Sequence, residues 1–334
     1  MDTGRISNSK PNLQQIPKKI SWKMTGDKEQ DIAIKNRPGI RECFQSRPGY
    51  RFLIYDYSAQ ELRVAASITL DEVMLNAFIE GKELHTYSAT LMYGLDYDEL
   101  VKRVRAGDPE AVDMRTVAKI VSFGSLYGSG APNLAKTLHI IFKKAEEILS
   151  KFWSSYPKLG RAMVRYGELA NDIGYSNTVL GRRRYYTDVL QKVKWVEYEQ
   201  NPNAIEKMLR DLKIMWFFEK EGSVTLDNMW KAKKALQRKF IGEVSRAAGN
   251  HHVQGTSADM TKQASIDIRH EFLKRDIPGY LVGLVHDEVI VEIPVEHVEE
   301  GKEIVSTLMK AALNKFCPNV PAEVEGHCST CWKK

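Results

Sequence analysis

Two acidic positions that follow apolar segments are the residues of this chain best suited to chemistry. Asp56 ends the apolar segment 51–55, and Asp287 lies between the apolar segments 280–285 and 289–293. β-Branched and aromatic residues favour strands, so each aspartate is expected at the end of a buried strand. If the strands are neighbours, the carboxylates can share two Mg²⁺ ions, which bind oxygen ligands and leave positions open for phosphates. Such a pair of ions stabilises the attacking and leaving oxygens of a phosphoryl transfer.

The second aspartate belongs to the sequence GYLVGLVHDEVIVEIP (279–294), which predicts a hairpin of two strands. His286, Asp287 and Glu288 lie at its turn. Buried carboxylates are costly unless they are paired, so a cationic partner is expected beside them. An ordinary exposed turn is the alternative, because acids are common in turns. The similar placement of Asp56 favours the metal site.

A helical segment, AVDMRTVAKIVSFGSLYG (111–128), carries a second group of candidate residues. Its residues Arg115, Lys119, Phe123 and Tyr127 recur every four positions and therefore form one stripe on a helix. Arginine and lysine bind phosphates, and aromatic rings stack on bases, so the stripe suits a triphosphate followed by a sugar and base. The alternative is a solvated cationic face that leads into core aromatics.

Three further segments present side chains suited to a nucleic-acid backbone or base edge. The N-terminal segment 3–17 is looped because of its prolines. The segment NTVLGRRRYY (177–186) combines a glycine turn with arginines and tyrosines. A disordered leader and a solvated loop are the alternatives for these two segments. The candidates are Arg5, Asn12 and Gln14 in the first segment, Arg182 in the second, and the every-fourth polar stripe Arg246, Asn250 and Gln254.

Most of the chain between the two aspartates has helical periodicity. Thr69 and Glu72 match a capping box that would open a helix. Residues 187–240 look like an inserted helical hairpin, whose basic second half is either a solvated face or a nucleic-acid contact. Further helices are expected near 143–157, 160–172, 256–274 and 295–315, with a terminal strand near 322–326.

Composition sets broad limits on the class of protein. The chain has 334 residues, 43% hydrophobic and 28% charged, with a net charge of +6, which permits a polyanionic partner. We expect no membrane partner, because no apolar run approaches the ~20 residues of a membrane span. We also expect a cytoplasmic protein, since the N-terminal residues lack the apolar core of a signal peptide. Among four cysteines, Cys328 and Cys331 form a single CxxC, which is weak evidence for zinc compared with reduced structural thiols.

Taken together, these motifs resemble the polymerase domain of family A DNA polymerases, the bacterial DNA polymerase I family. The stretches DYSAQELRVAAS, RTVAKIVSFGSLYG and VHDEVIVEIP are similar to its three ordered catalytic motifs. The stretches TGRISNSKPNLQQIP and RAAGNHHVQGTSAD are similar to flanking ones. The resemblance covers nearly the whole chain and implies a bacterial or viral DNA polymerase that adds deoxynucleoside triphosphates to a primer on template DNA.

The resemblance also implies a role for each matching position. Asp56 and Asp287, with the Tyr57 carbonyl, would bind two Mg²⁺ ions, and Glu288 would support them. Glu61 would exclude a 2′-hydroxyl group, and His85 would assist the triphosphate ligands Arg115 and Lys119. Phe123 and Tyr127 would flank the sugar and base. Primer and template would be lined by Arg5, Asn12, Gln14, Arg246, Asn250, Gln254 and His286. Arg182 of the basic loop 177–186 is a further candidate DNA contact.

The implied fold is α+β: a polymerase palm with an antiparallel sheet assembled from both ends of the chain, plus helical fingers. The palm would comprise 1–70 and 181–334, with fingers at 71–180 and the helical insertion at 187–240. Thr116 departs from the family, which often has a second arginine there, and the insertion exceeds the family's usual connection. A thumb is not expected in this chain. It is therefore either a fragment or one product of a split polymerase, with a separate polypeptide supplying thumb and exonuclease.

Two other functions fit part of these observations. A single-subunit RNA polymerase would use the same arrangement of catalytic carboxylates in a palm, although Glu61 argues against this function. A catalytically silent DNA-binding subunit would have no need of Asp56, Asp287 and Lys119.

Overall fold

The computed structural model describes residues 3–7, 12–17 and 39–333. The chain divides into two compact units, Met1–Ser67 with Gln254–Lys334, and Ile68–Val253. The first unit is therefore assembled from both ends of the chain. In the N-terminal segment, residues 8–11 lie outside the described residues, so the predicted loop is seen only in part.

A four-stranded antiparallel sheet forms the centre of the first unit. Its order is β4-β5-β1-β6. Strand β1, from the N-terminal part of the chain, is an inner strand of this sheet. It pairs with β5 on one side and with β6 on the other, and both of these come from the C-terminal part. This architecture confirms the expected α+β fold. The strands of this sheet are β1 (Tyr50–Tyr57), β4 (Tyr280–Val285), β5 (Glu288–Pro294) and β6 (Val324–Ser329).

The α-helices are numbered along the chain from α1 to α14. They are α1 (Gln60–Thr69), α2 (Glu72–Ile79), α3 (Leu84–Tyr93), α4 (Tyr97–Arg105), α5 (Pro109–Leu126), α6 (Ala131–Leu138), α7 (Phe142–Ser155), α8 (Pro157–Ile173), α9 (Thr187–Tyr198), α10 (Pro202–Asp211), α11 (Met215–Glu221), α12 (Met229–Asn250), α13 (Thr256–Lys274) and α14 (Val298–Phe316).

Side-chain alternation gives the sheet two different faces. Leu53 and Val291, which are opposite each other in the register, are fully buried, as are Ile268 on α13 and Leu313 on α14. Helices α13 and α14 pack against each other, and α14 packs on β1. The neighbouring strand β6 approaches closely at Gly326, where a Cβ atom would lie 2.3 Å from the Tyr55 ring.

The opposite face of the sheet carries a smaller apolar cluster and leads to Asp56. Phe52 and Ile54 precede Asp56 on this face, two residues apart, and they pack with Ile290 and Trp332. The strand therefore buries apolar side chains on both faces and directs Asp56 to the end of the smaller cluster.

The second unit is mainly helical, with one short hairpin of β2 (Tyr175–Asn177) and β3 (Arg183–Tyr185). Helix α12 packs along α8, and α3 packs along α5. The segment 187–240 is helical as predicted, but it forms α9, α10, α11 and the first half of α12 rather than a hairpin of two helices. These helices enclose their own apolar core around Ile205, Phe217 and Leu236.

The predicted capping box is wrong. The residue that caps α2 is Asp71, whose side chain accepts a hydrogen bond from the Met74 amide, so Thr69 and Glu72 do not form the predicted capping box. The Asp71 side chain is also held from a second direction, because its other carboxylate oxygen accepts hydrogen bonds from the backbone amides of Lys158 and Leu159. Residues 181–253 pack within the second unit, whereas the division into palm and fingers stays a prediction.

No helix among the described residues is long and apolar enough to cross a membrane. The four cysteines are all free thiols.

Candidate active site

The two candidate metal ligands lie at the same end of adjacent strands. In the register of β1 and β5, Asp56 is opposite Glu288, and the Tyr57 amide donates a hydrogen bond of 3.4 Å to the Asp287 carbonyl. The expectation that the two strands are neighbours is therefore confirmed. Antiparallel pairing achieves this because one strand ends where its neighbour begins.

The turn that presents Asp287 has only two residues, His286 and Asp287, between the paired residues Val285 and Glu288. His286 adopts a φ of 59°, in the left-handed region that tight hairpin turns require. Its Nε2 atom lies 3.2 Å from the Gln14 carbonyl oxygen. The turn is thus held in place by the N-terminal segment of the same unit.

Glu288 is almost fully buried, and a cation accompanies it as expected. The guanidinium of Arg41 forms an ion pair with Glu288, at 3.4 Å between Nη1 and Oε1. Burial lowers the pKa of Arg41, while the charges of Glu288 and Asp56 act in the opposite direction. Arg41 was not predicted, because it lies in a short 3-10 helix, Ile40–Cys43, that has no periodic pattern. The only available signal was the requirement for a cation near the buried acids.

The donor set fits Mg²⁺. Asp56 and Asp287 offer carboxylate oxygens and Tyr57 a carbonyl oxygen, and hard oxygen donors are what Mg²⁺ prefers. The buried Glu288 Oε2 atom has no hydrogen-bond partner within the described part of the chain, so it too can coordinate a bound ion or accept a hydrogen bond from the ion's water. The described ranges contain no group of three or more His, Cys, Asp or Glu residues with metal-binding geometry. A paired-aspartate site of this kind leaves coordination positions for substrate.

The predicted primer and sugar contacts of the first unit lie close together. Arg5, Gln14 and His286 line one small cavity with residues of α13. Glu61, buried in the first turn of α1, forms an ion pair with Arg5. Asn12 caps the turn that follows it, since its Oδ1 atom accepts the Gln14 amide at 3.2 Å. The structure therefore groups the N-terminal donors with Glu61, the candidate gate against a 2′-hydroxyl group.

In the second unit, the predicted stripe lies on α5 with Tyr127 as the residue that caps the helix. Lys119 is exposed. Arg115 is held by Glu83, whose two carboxylate oxygens accept two hydrogen bonds of 3.1 Å from Nε and Nη2. Glu83 also caps α3, accepting the Thr86 amide at 2.8 Å. Glu83 was not predicted, although its position before a helix start is typical of a capping residue.

The aromatic part of the stripe forms a row of rings with His85. The His85 and Phe123 ring centroids are 5.3 Å apart, and those of Phe123 and Tyr127 are 6.4 Å apart with nearly parallel planes. Burial lowers the pKa of His85 to about 4; Glu83 opposes this effect, whereas Lys119 and Arg115 add to it. At neutral pH this imidazole is uncharged, so it can act as a hydrogen-bonding group but adds no charge for a phosphate.

The remaining predicted contacts are distributed along α12 and the β2–β3 hairpin. Arg246 packs over Gly128, where a Cβ atom would lie 2.4 Å from Arg246 Cγ, so only glycine fits there. Arg182 Nη1 lies 3.4 Å from the Nε2 atom of His251. Asn250 is the last residue of α12, and a π-helix, His251–Gly255, separates it from α13. The regular every-fourth stripe predicted for Arg246, Asn250 and Gln254 is therefore interrupted before Gln254.

Comparison with known proteins defines the class to which this fold and site belong. The model of DNA polymerase family A matches residues 1–334, so the chain belongs to that family. The chain is 32% identical over 325 residues to a thermostable DNA polymerase I of Thermus filiformis, covering 97% of this chain and 30% of that protein. It is 29% identical to DNA polymerase I of Aquifex aeolicus, covering 99% of this chain and 44% of that protein.

A solved structure shows the same fold. The POL domain of Pol1 from M. smegmatis, in complex with DNA primer-template and dNTP, aligns with a TM-score of 0.71 and 25% identity. The alignment covers 99% of this chain and 46% of that one. The chain thus spans less than half the length of each of these relatives.

Proposed function

We propose that this chain is the polymerase part of a template-directed DNA polymerase, which adds deoxynucleoside triphosphates to a primer 3′-hydroxyl group. The observation that carries the proposal is the pairing of β1 with β5. It places Asp56 and Asp287 at one end of neighbouring strands in a member of DNA polymerase family A. The neighbour bound to primer-template DNA and dNTP supports these substrates.

In this proposal the first unit provides the reaction centre. Asp56, Asp287 and the Tyr57 carbonyl would hold two Mg²⁺ ions, which would stabilise negative charge on the attacking hydroxyl oxygen and on the leaving pyrophosphate. Arg41 keeps the adjacent acids compensated. Glu61 fills the space beneath the sugar.

The second unit would bind the incoming nucleotide and DNA. Arg115 and Lys119 would bind the triphosphate through charged donors, with neutral His85 as a further donor. Phe123 and Tyr127 would offer aromatic faces to the sugar and base. The primer and template would be held by the previously named set, Arg5, Asn12, Gln14, Arg182, Arg246, Asn250, Gln254 and His286.

Primer extension with Mg²⁺ and all four deoxynucleoside triphosphates tests the proposal. We expect Asp56→Ala and Asp287→Ala to abolish extension while circular dichroism and the Tm show a folded protein. Asp98→Ala, which removes an exposed acid from α4, is the matched control and should extend normally. Extension by Asp56→Ala at the rate of the unaltered chain would refute the proposal. Replacing the substrates with ribonucleotides tests the RNA polymerase alternative.

The partner that supplies a thumb and exonuclease stays a prediction. The same assay, with and without the remaining parts of a DNA polymerase I added as a separate polypeptide, measures whether extension length depends on such a partner.

A further inference from the structure

A cluster formed by Arg41, Glu288 and Trp332 lies directly behind the catalytic turn. The Trp332 indole N–H donates a hydrogen bond of 2.7 Å to Glu288 Oε1. The Arg41 guanidinium lies 4.2 Å from the Trp332 ring centroid and bonds to the same Oε1 atom. Phe44 meets the Trp332 indole edge-on, at 5.7 Å between ring centroids. Both donors therefore act on one oxygen of one buried carboxylate.

The cluster is shielded from solvent. The side chains of Arg41 and Glu288 are 5% and 2% exposed, and Trp332 is 4% exposed as a residue. A hydrogen bond to a charged group in such surroundings is stronger than one at the surface. The two donors to Oε1 restrain the orientation of the Glu288 carboxylate, and its Oε2 atom has no hydrogen-bond partner among the described residues.

The orientation of Glu288 bears on the candidate metal ligands because of its place in the sheet. It directly follows Asp287 in the chain and is opposite Asp56 in the register. The packing that fixes Glu288 therefore also restrains the turn before it and the end of β1 beside it. The cluster itself is anchored, since the Trp332 amide donates to the Phe44 carbonyl at 2.9 Å and the Ser46 amide to the Thr330 carbonyl at 2.9 Å.

We propose that Trp332 and Arg41 are positioning residues that orient Glu288 and thereby the Asp287 turn, so that the far C-terminal segment sets the geometry of the metal site. This inference rests on the proposed function for its kinetic part. Groups that orient metal ligands from behind typically change metal affinity or activity by about 10- to 100-fold when they are removed.

The decisive variant is Trp332→Phe, which keeps an aromatic ring for Arg41 and Phe44 but removes the N–H donor. We expect the single-turnover rate of primer extension to fall by about tenfold or more, with an unchanged KM for the nucleotide. Binding of Mn²⁺ alone, measured by electron paramagnetic resonance without DNA or nucleotide, should weaken. Arg41→Lys keeps the charge and loses the planar contact with Trp332, so it should reduce both the single-turnover rate and the Mn²⁺ affinity. It tests the same role if Trp332→Phe does not fold.

A double-mutant cycle separates positioning from general destabilisation. If Trp332 acts through Glu288, the double variant of Trp332→Phe and Glu288→Ala, in which the acceptor is removed, loses no more than the worse single variant. His327→Ala is the control, because it removes a 2.8 Å contact with the Lys333 carbonyl in the same terminal segment but no contact with Glu288. It should leave the rate and Mn²⁺ affinity unchanged.

The outcomes distinguish the two proposals. Additive losses in the cycle, or equal rate and Mn²⁺ affinity in Trp332→Phe and the unaltered chain, would overturn the positioning role. Absence of primer extension by the unaltered chain would contradict the proposed function instead, and the cycle on Mn²⁺ affinity would still test the cluster.

Discussion

The ion pair between Glu83 and Arg115 predicts that a carboxylate restrains nucleotide binding. Two guanidinium nitrogens of Arg115, Nε and Nη2, each donate a hydrogen bond of 3.1 Å to the Glu83 carboxylate. If Arg115 binds the triphosphate, it must leave or share this partner, and the carboxylate also repels the phosphates. Glu83→Gln should therefore lower the KM for the nucleotide.

The size of this effect follows from the exposure of the pair. The two side chains are 34% and 44% exposed, so the pair is a surface ion pair. Such pairs contribute about 0.2 to 1 kcal/mol, which corresponds to a decrease in KM of at most about fivefold. Because salt screens exposed charges, the decrease should shrink as ionic strength rises.

The assay is steady-state incorporation of one nucleotide at low and at high salt. Glu83 also caps α3, so its replacement affects stability as well as charge, and a control for the cap is needed. Asp96→Asn alters the capping residue of α4, whose Oδ1 accepts the Glu99 amide at 3.0 Å, without touching Arg115. It should leave KM unchanged. A KM that is unchanged or raised in Glu83→Gln at low salt would refute the reasoning.

Four further predictions concern separate parts of the chain. Lys119→Ala should raise the KM for the nucleotide and slow the chemical step, because a cation stabilises the transition state most as negative charge develops on the leaving group. Unchanged single-turnover kinetics would show that the role of the stripe from Arg115 to Tyr127 is misassigned. Glu61→Ala should incorporate ribonucleotides more readily while Glu61→Gln, of similar volume, should not; equal discrimination in all three chains would place the gate elsewhere. Lys234 and Arg238 are both exposed on α12. Replacing both with alanine should reduce the slope of log Kd against log salt for duplex DNA by about one per lost phosphate contact, and an identical slope would show that this face does not bind DNA. The pKa of His85 is lowered to about 4, so its contribution to stability is complete above the unfolded-state pKa of about 6.5 and is lost as pH falls towards 4, by at most about 3 kcal/mol. In denaturant titrations, His85→Gln should lose less stability than the unaltered chain between about pH 6.5 and about pH 4, and equal pH profiles would contradict this.

Much of the local structure could be predicted from the chain alone. The range 256–274 was predicted as a helix, and α13 has those bounds. The strand before Asp56 and the hairpin around Asp287 were also predictable, because β-branched alternation and turn residues act over a few neighbouring positions. The structure begins the first strand at Tyr50 and extends it to Tyr57, beyond both ends of the predicted segment 51–55. These are small shifts at element ends, where local preferences are weakest.

The site was predictable as far as its residues follow local patterns. Asp56 and Asp287 were recognised because each ends an apolar segment, and the stripe from Arg115 to Tyr127 because its spacing matches the helical repeat. Glu83 and Arg41 were missed, since each acts on a residue that is distant in sequence and neither belongs to a periodic pattern.

Spacing and composition determine which residues share a strand end or a helix face, because these features depend on backbone geometry over a few residues. The tertiary structure alone decides which distant groups meet. Asp56 lies beside Glu288 because β1 pairs with β5, and Trp332 reaches Glu288 because the terminal segment pairs with the residues around Phe44. Once buried, Glu288 required a cation and a donor within hydrogen-bond distance, and folding brought Arg41 and Trp332 there.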